Sequence, residues 1–320
     1  QTLQFNVAIS FISVEQAIQN MLHLNPFSKS NKPFSKTTKM TFNEKRLYIL
    51  NLWEKKLSIV RIHDDEISSP ATPKKKESDG NSNDTSLTNK KKFYTALYHS
   101  YCVPTTFSEY GGYYLGMDNK IHQLNEVASD VRKHAYSDMS LWDVHRTQFP
   151  WLSLSMPDVY EDVIGSLQEM ARVGGDIPRW PLANVYTGCM IGSHGMVSIA
   201  ESILKNQTRC LNKTYIYEKM KLAATSENVK HGGRIDVANY TKYNFVPNED
   251  ERLAASLTLA YAFDDHAIAT VAKSLGLMDE YSIFHNRSKI AYEVLWSDTA
   301  KLLCPRSING TLHCPSKAEA

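Results

Sequence analysis

Residues 136–195 gather the side chains best suited to chemistry. Trp142, Trp151 and Trp180 lie in this stretch, three of the five tryptophans of the chain. Asp143, His145, Arg146, Asp176, Arg179 and His194 stand beside them. Indole planes next to charged pairs suit a polyhydroxylated ligand. The apolar face of a sugar ring stacks on an indole, and its hydroxyls bond to Asp and Arg. We take Trp142, Asp143, Arg146, Trp180 and His194 as candidate substrate-binding residues. The alternative is that both tryptophans fill a core and that Asp143 and Arg146 form an ordinary i,i+3 helix pair.

The elements around this stretch are predicted to be mostly helical. Residues 158–173 carry Val159, Val163, Leu167 and Met170 as an apolar stripe, closed by Gly174-Gly175. Residues 190–206 read as a helix interrupted by glycines near its start, and residues 249–275 as the longest helix, closed by Gly276. Asp264 falls on the apolar face of that last helix. A buried carboxylate is costly alone, so it needs an internal partner or a polar cavity. Upstream, residues 3–13 read as a strand. Residues 13–24 read as a helix with Ser13 as N-cap and Gln16 completing a capping box. Residues 43–60 form a second helix with Trp53 on its stripe, and a further helix starts at Phe93. The polar run 63–92 reads as a disordered insertion.

Composition narrows the function classes. The chain has 320 residues, a net charge of +2 and 42% hydrophobic residues. That balance gives no electrostatic case for nucleic acid, and no apolar run is long enough for a membrane span. The five cysteines have no CxxC spacing, so neither a zinc nor a thioredoxin-like site is expected. Cys304 and Cys314 flank Asn309-Gly310, a turn that would let them close a small disulfide loop. Six N-x-S/T sequons begin at Asn83, Asn206, Asn212, Asn239, Asn286 and Asn309. They lean towards a secreted or lysosomal protein, with a cytoplasmic protein as the alternative.

The order of motifs carries a resemblance. ISFISVEQAIQN, FYTALYHS, FSEYGGYYLGMD, YSDMSLWDVHR, GGDIPRWP, CMIGSHG and AYAFDDHAIA follow one another much as in the glycoside hydrolase family 92 α-mannosidases. The resemblance runs from about Val7 to Arg306, outside the 63–92 insertion. It implies a mainly α fold: an incomplete (α/α)6 toroid-like barrel preceded by a remnant strand of an N-terminal β-sandwich. Residues 1–12 would be the strand, 13–62 a helical connector and 93–320 the first part of the barrel. It further implies calcium-dependent, inverting exo-α-mannosidase chemistry on a mannose-containing glycan.

The resemblance also implies a defect. Aligned on Trp180-Pro181 and on Cys189 to Gly192, the position of the family's general acid, a Glu, is held by Tyr186. A phenol near pKa 10 is a poor substitute for a carboxylic acid. The later motifs that would carry the base and the calcium ligands do not occur in this sequence, so no calcium is expected on it. Three functions remain to be separated. The first is an α-mannosidase-like hydrolase whose partial chain is inactive. The second is a catalytically dead, mannoside-binding relative, and the third a helical interaction protein with no sugar site.

Overall fold

Helices form where the apolar spacing expected them. The computed structural model describes residues 7–23, 41–62, 82–126, 130–229, 231–249 and 253–315, with the backbone alone described for 82–86. The chain divides into two units, Gln1–Ala8 with Ile18–Val103, and Ile9–Ala17 with Pro104–Ala320.

The smaller unit contains most of helix α1 (Val14–His23) together with α2 (Phe42–Leu57) and α3 (Ser82–Ser100). α2 starts with a complete capping box, in which the Thr41 hydroxyl accepts from the Glu44 amide and Glu44 reaches back to Thr41. α2 meets α3 through an edge-on contact of Trp53 with Tyr98, ring centres 4.5 Å apart. The Tyr94 hydroxyl donates to the Val60 carbonyl at 2.9 Å. α3 begins at Ser82, not at Phe93, so residues 82–92 are helical instead of disordered. Once the FYTALYHS turns are formed, adding Lys90, Lys91 and Lys92 costs little, because lysine is a good helix former and nucleation is already met. Residues 63–81 of the expected insertion lie outside the described residues.

The larger unit opens with residues 9–13 in irregular conformation. No strand is formed in the described part of 3–13; backbone groups there turn to side chains instead. The Glu109 carboxylate accepts from the Ser10 hydroxyl at 2.6 Å and from the Phe11 amide at 2.8 Å. Ser13 caps α1 as expected, accepting from the Gln16 amide at 3.1 Å.

Four short antiparallel pairs follow in this unit. β1 (Thr105–Thr106) pairs with β4 (Tyr136–Ser137), and β2 (Tyr113–Leu115) with β3 (Ile121–Gln123). β5 (Pro181–Leu182) pairs with β6 (Val185–Tyr186), and β7 (Trp296–Ser297) with β8 (Leu302–Leu303). The mass of the unit is helical: α4 (Leu141–Val144), α5 (Gln148–Ser155), α6 (Pro157–Gly174), α7 (Gly195–Leu204), α8 (Lys213–Thr225), α9 (Val237–Tyr243), α10 (Ala254–Ser274) and α11 (Met278–Leu295).

α6 shows how sequence becomes packing. Pro157 fits the first helical position, where its missing N–H costs nothing. Gly175 ends the helix at φ 101°, a conformation that favours glycine. Between them Val163, Ile164, Leu167 and Ala171 are fully buried. Each of the larger aliphatic side chains contributes about 1.5–3 kcal/mol by leaving water. α6 packs on α5 and α7, and α10 packs on α7, α8 and α11, so α7 joins the two groups.

Candidate functional site

α4 is one turn long, and its sequence sorts its faces. Leu141 and Val144 are buried, which turns Trp142 and Asp143 outward. Trp142 is 37% exposed. Ser140 precedes the helix. Its hydroxyl accepts the indole N–H of Trp180 at 2.7 Å and donates to the Asp143 carboxylate. Trp180, Ser140 and Asp143 therefore form one proton-ordered chain beside Trp142.

The two segments that meet here are laced together along their length. The Met139 amide donates to the Pro181 carbonyl at 3.1 Å. The Ser137 hydroxyl donates to the Ala183 carbonyl at 2.6 Å, and the Ala183 amide donates to Asp138 at 2.9 Å. Ala183 sits at φ 49° in the tight β5–β6 turn. Trp180 is thus placed by its own hairpin and by the strap 137–140.

Arg146 is exposed and makes no ion pair with Asp143, whose partner is Ser140. The expected i,i+3 pair is absent because a serine hydroxyl at the helix start reaches the carboxylate first.

His194 takes a different place from the one expected. It is buried, 3% exposed, beneath α4 and not on the open face. Its Nδ1 lies 2.7 Å from Asp264, and the other Asp264 oxygen accepts the Ser193 amide at 2.7 Å. A carboxylate only accepts, so Nδ1 of His194 carries a proton. Asp264 thereby has the internal partner that its place on an apolar helix face demanded. The His194 ring stacks on His145 at 4.3 Å between centres, and His145 Nδ1 donates to the Leu141 carbonyl at 2.9 Å. Burial, then the neighbouring His194, pushes the His145 pKa down to about 4. His145 is neutral at pH 7 and supports α4 from below.

Asp265 is as buried as Asp264. Arg287 donates to it twice, at 2.5 and 2.8 Å, Arg234 once at 2.7 Å, and the Tyr240 hydroxyl once at 2.9 Å. This cluster ties α10 to α9 and α11.

Tyr186, at the expected acid position, turns its hydroxyl to two backbone carbonyls. Its oxygen lies 2.8 Å from both the Met170 and the Asp176 carbonyls, and its ring stacks on His231 at 4.8 Å. Burial raises its pKa above that of an ordinary phenol. Gly174 makes this approach possible, since a Cβ there would stand 2.3 Å from the Tyr186 oxygen. The nearest carboxylate in sequence is also engaged: Asp176 accepts the His231 amide at 2.8 Å.

Two small pockets share Arg132 and Glu169 in their lining. Neither is lined by Trp142, Asp143 or Trp180. Arg132 is held by Asp130, Tyr114 and Ser166. Among the described residues no group of three or more His, Cys, Asp or Glu side chains is placed to hold a metal ion.

Against known proteins, residues 32–320 match the model of the glycosyl hydrolase family 92 catalytic domain. The chain belongs to glycosyl hydrolase family 92. Solved family 92 structures superpose on nearly all of it. The α-mannosidase BT3965 of Bacteroides thetaiotaomicron, solved with mannoimidazole, is 28% identical at a TM-score of 0.75. That match covers 96% of this chain and 35% of that protein. The inverting mannosidase BT2199 of Bacteroides thetaiotaomicron VPI-5482 is 22% identical at a TM-score of 0.74, covering 97% of this chain and 37% of its own, a likeness of fold. This family 92 chain therefore spans about a third of the length of these solved relatives. No curated protein matches it. The mainly helical fold with only small sheets agrees with the architecture expected from the motifs.

The sequence brought Trp180, Trp142 and Asp143 into view. It missed Ser140, whose signal was the S-x-x-D spacing of Ser140 and Asp143 at a helix start.

Proposed function

We propose that this chain provides a mannoside-binding face of an α-mannosidase-like glycoside hydrolase and does not itself hydrolyse glycosidic bonds. The observation that carries the reading is the Trp180–Ser140–Asp143 chain beside the exposed Trp142. A mannose ring stacks by its apolar face on an indole, and Asp143 accepts from its hydroxyls. Asp143 remains an acceptor with Ser140 attached, because a carboxylate offers about four lone-pair sites. Arg146, with no ion pair to Asp143, adds donors at the rim.

Inactivity rests on Tyr186. An inverting glycosidase needs a carboxylic acid to protonate the leaving oxygen and a second carboxylate to activate water. The Tyr186 hydroxyl is held between two carbonyls and is a weaker acid than free phenol. We ascribe sugar binding to the indoles and Asp143.

The test is titration of the chain with methyl α-mannoside and α-1,2-mannobiose, followed by calorimetry and tryptophan fluorescence, with and without a calcium chelator. Saturable binding without release of mannose, unchanged by the chelator, is expected. Calcium-dependent mannose release would overturn the assignment. Absence of any binding would favour a helical interaction protein with no sugar site.

A further inference from the structure

The loop closed by Cys304 and Cys314 holds a motif that the sugar face does not use. The disulfide joins cysteines ten residues apart. Inside it, the Ser307 amide donates to the Thr311 carbonyl and the Gly310 amide donates to the Ser307 carbonyl, each at 2.9 Å, and Arg306 bridges to Leu312. Asn309-Gly310-Thr311 occupies the tip, with Gly310 at φ 91°. The base of the loop is pinned: the Ser307 hydroxyl lies 2.7 Å from His313 Nε2, and Glu249 accepts the Ile308 amide at 2.9 Å. The tip is therefore presented on a rigid base.

We propose that Asn309 carries an N-linked glycan and that this chain matures in the oxidising secretory compartment. Two independent observations meet in the one loop. A structural disulfide forms and persists where the medium is oxidising. The sequon in the same loop has the conformation that leaves its amide nitrogen open. Asn309 is exposed, its Oδ1 accepts the Thr311 amide at 3.0 Å, and its Nδ2 carries no hydrogen bond. A sugar on Nδ2 keeps the Oδ1 bond and the turn intact. The glycosyl donor is a lipid pyrophosphate-linked oligosaccharide. The new bond joins its anomeric carbon to Asn309 Nδ2, and the bond from that carbon to the pyrophosphate oxygen breaks. The lipid pyrophosphate leaves as the anion, and the amide proton passes to solvent.

The other sequons are less open. Asn239 lies within α9 with Nδ2 already donating to Asp236 at 2.8 Å. Asn286 lies within α11, and the hydroxyl of its Ser288 is buried and donates to the His285 carbonyl. Asn206 and Asn212 are exposed but share one connection between α7 and α8, where a glycan on one crowds the other. The side chain of Asn83 lies outside the described residues.

The loop supplies its own assay. Trypsin cutting after Lys301, Arg306 and Lys317 leaves peptides 302–306 and 307–317 joined through Cys304 and Cys314. The protein is taken from the cells that make it, digested without reduction, and the linked pair is weighed intact. Intact mass is needed because Asn-Gly deamidates spontaneously and would mimic enzymatic release of a glycan. The expected result is the linked pair carrying a hexosamine-cored glycan on Asn309. In the same cells, Thr311→Ala abolishes the glycan and Thr311→Ser retains it. The linked pair found without sugar overturns the proposal. So does an unmodified 307–317 peptide with Cys304 and Cys314 reduced.

Discussion

Trp180 gives its indole proton to Ser140 at 2.7 Å, and so a residue on a hairpin is fixed by the residue that starts α4. Ser140 in turn donates to Asp143, which sets the direction of every proton in the chain. Two sugar-contact candidates far apart in sequence depend on one hydroxyl.

Ser140→Ala should therefore weaken mannoside binding more than stability. Stability should fall by about 0.5–1.5 kcal/mol, the net worth of an ordinary hydrogen bond. Affinity should fall by roughly tenfold, about 1.4 kcal/mol, because Trp180 and Asp143 both lose their orientation. Calorimetric titration with methyl α-mannoside, paired with urea unfolding, separates the two. Unchanged affinity would show that Ser140 does not organise the sugar face.

His145 predicts a pH dependence with a fixed sign. Its folded pKa is pushed down to about 4 from the ordinary histidine value of 6.5. Between those values the unfolded chain binds the proton and the folded chain does not, so stability rises with pH across this window. The contribution is complete above about pH 6.5 and is lost as pH falls towards 4. It cannot exceed about 3 kcal/mol by linkage. Urea midpoints at several pH values should show the loss, and His145→Phe should flatten this part of the profile. An equal slope in the variant would remove His145 as the cause.

Asp265→Asn should be among the most damaging single changes. Arg234 and Arg287 are both buried against this carboxylate, and Arg234 is also stacked over Tyr240 and Tyr261. Neutralising the carboxylate leaves two guanidinium charges in the core, at a cost of about 3–5 kcal/mol. The readout is the urea midpoint. A loss under about 1 kcal/mol would mean that water reaches these arginines and screens them.

How far the fold could be read from sequence depended on period. α6 was legible because Val163, Leu167 and their neighbours repeat at helical spacing between Pro157 and Gly175. Asp264 was legible as a problem, a carboxylate on an apolar stripe, though not its solution by Ser193 and His194. Asp265 is buried because α9 and α11 wrap the flank of α10, a tertiary fact with no local signal. Residues 7–13 looked like a strand because β-favouring types cluster there. A strand also needs a paired edge, which composition cannot supply. Helix α3 was placed too late because lysines and serines read as solvated loop and as a solvated helix face equally well. At the site, the indoles and Asp143 were visible by type, whereas Ser140 was hidden by being a serine among many. His194 was grouped with the substrate-binding candidates by type; its burial against Asp264 is a tertiary fact that its neighbours in sequence do not signal.

Tyr186 gives the most exposed prediction, which concerns chemistry. The 320-residue chain should release no mannose from an aryl α-mannoside or from α-1,2-mannobiose. General acid and base catalysis each contribute about 10²–10⁴-fold, so a site without a competent acid starts far behind. Tyr186→Glu should not restore turnover. The introduced carboxylate would face the Met170 and Asp176 carbonyls, which repel it. Tyr186→Phe should leave sugar binding unchanged and lower stability by about 1–3 kcal/mol, through two carbonyls that lose their donor. The three proteins are compared in one continuous assay of aryl mannoside hydrolysis, with urea unfolding alongside. Turnover by the unaltered chain that disappears in Tyr186→Phe would make the phenol a working acid, and the site would have to be rebuilt around it.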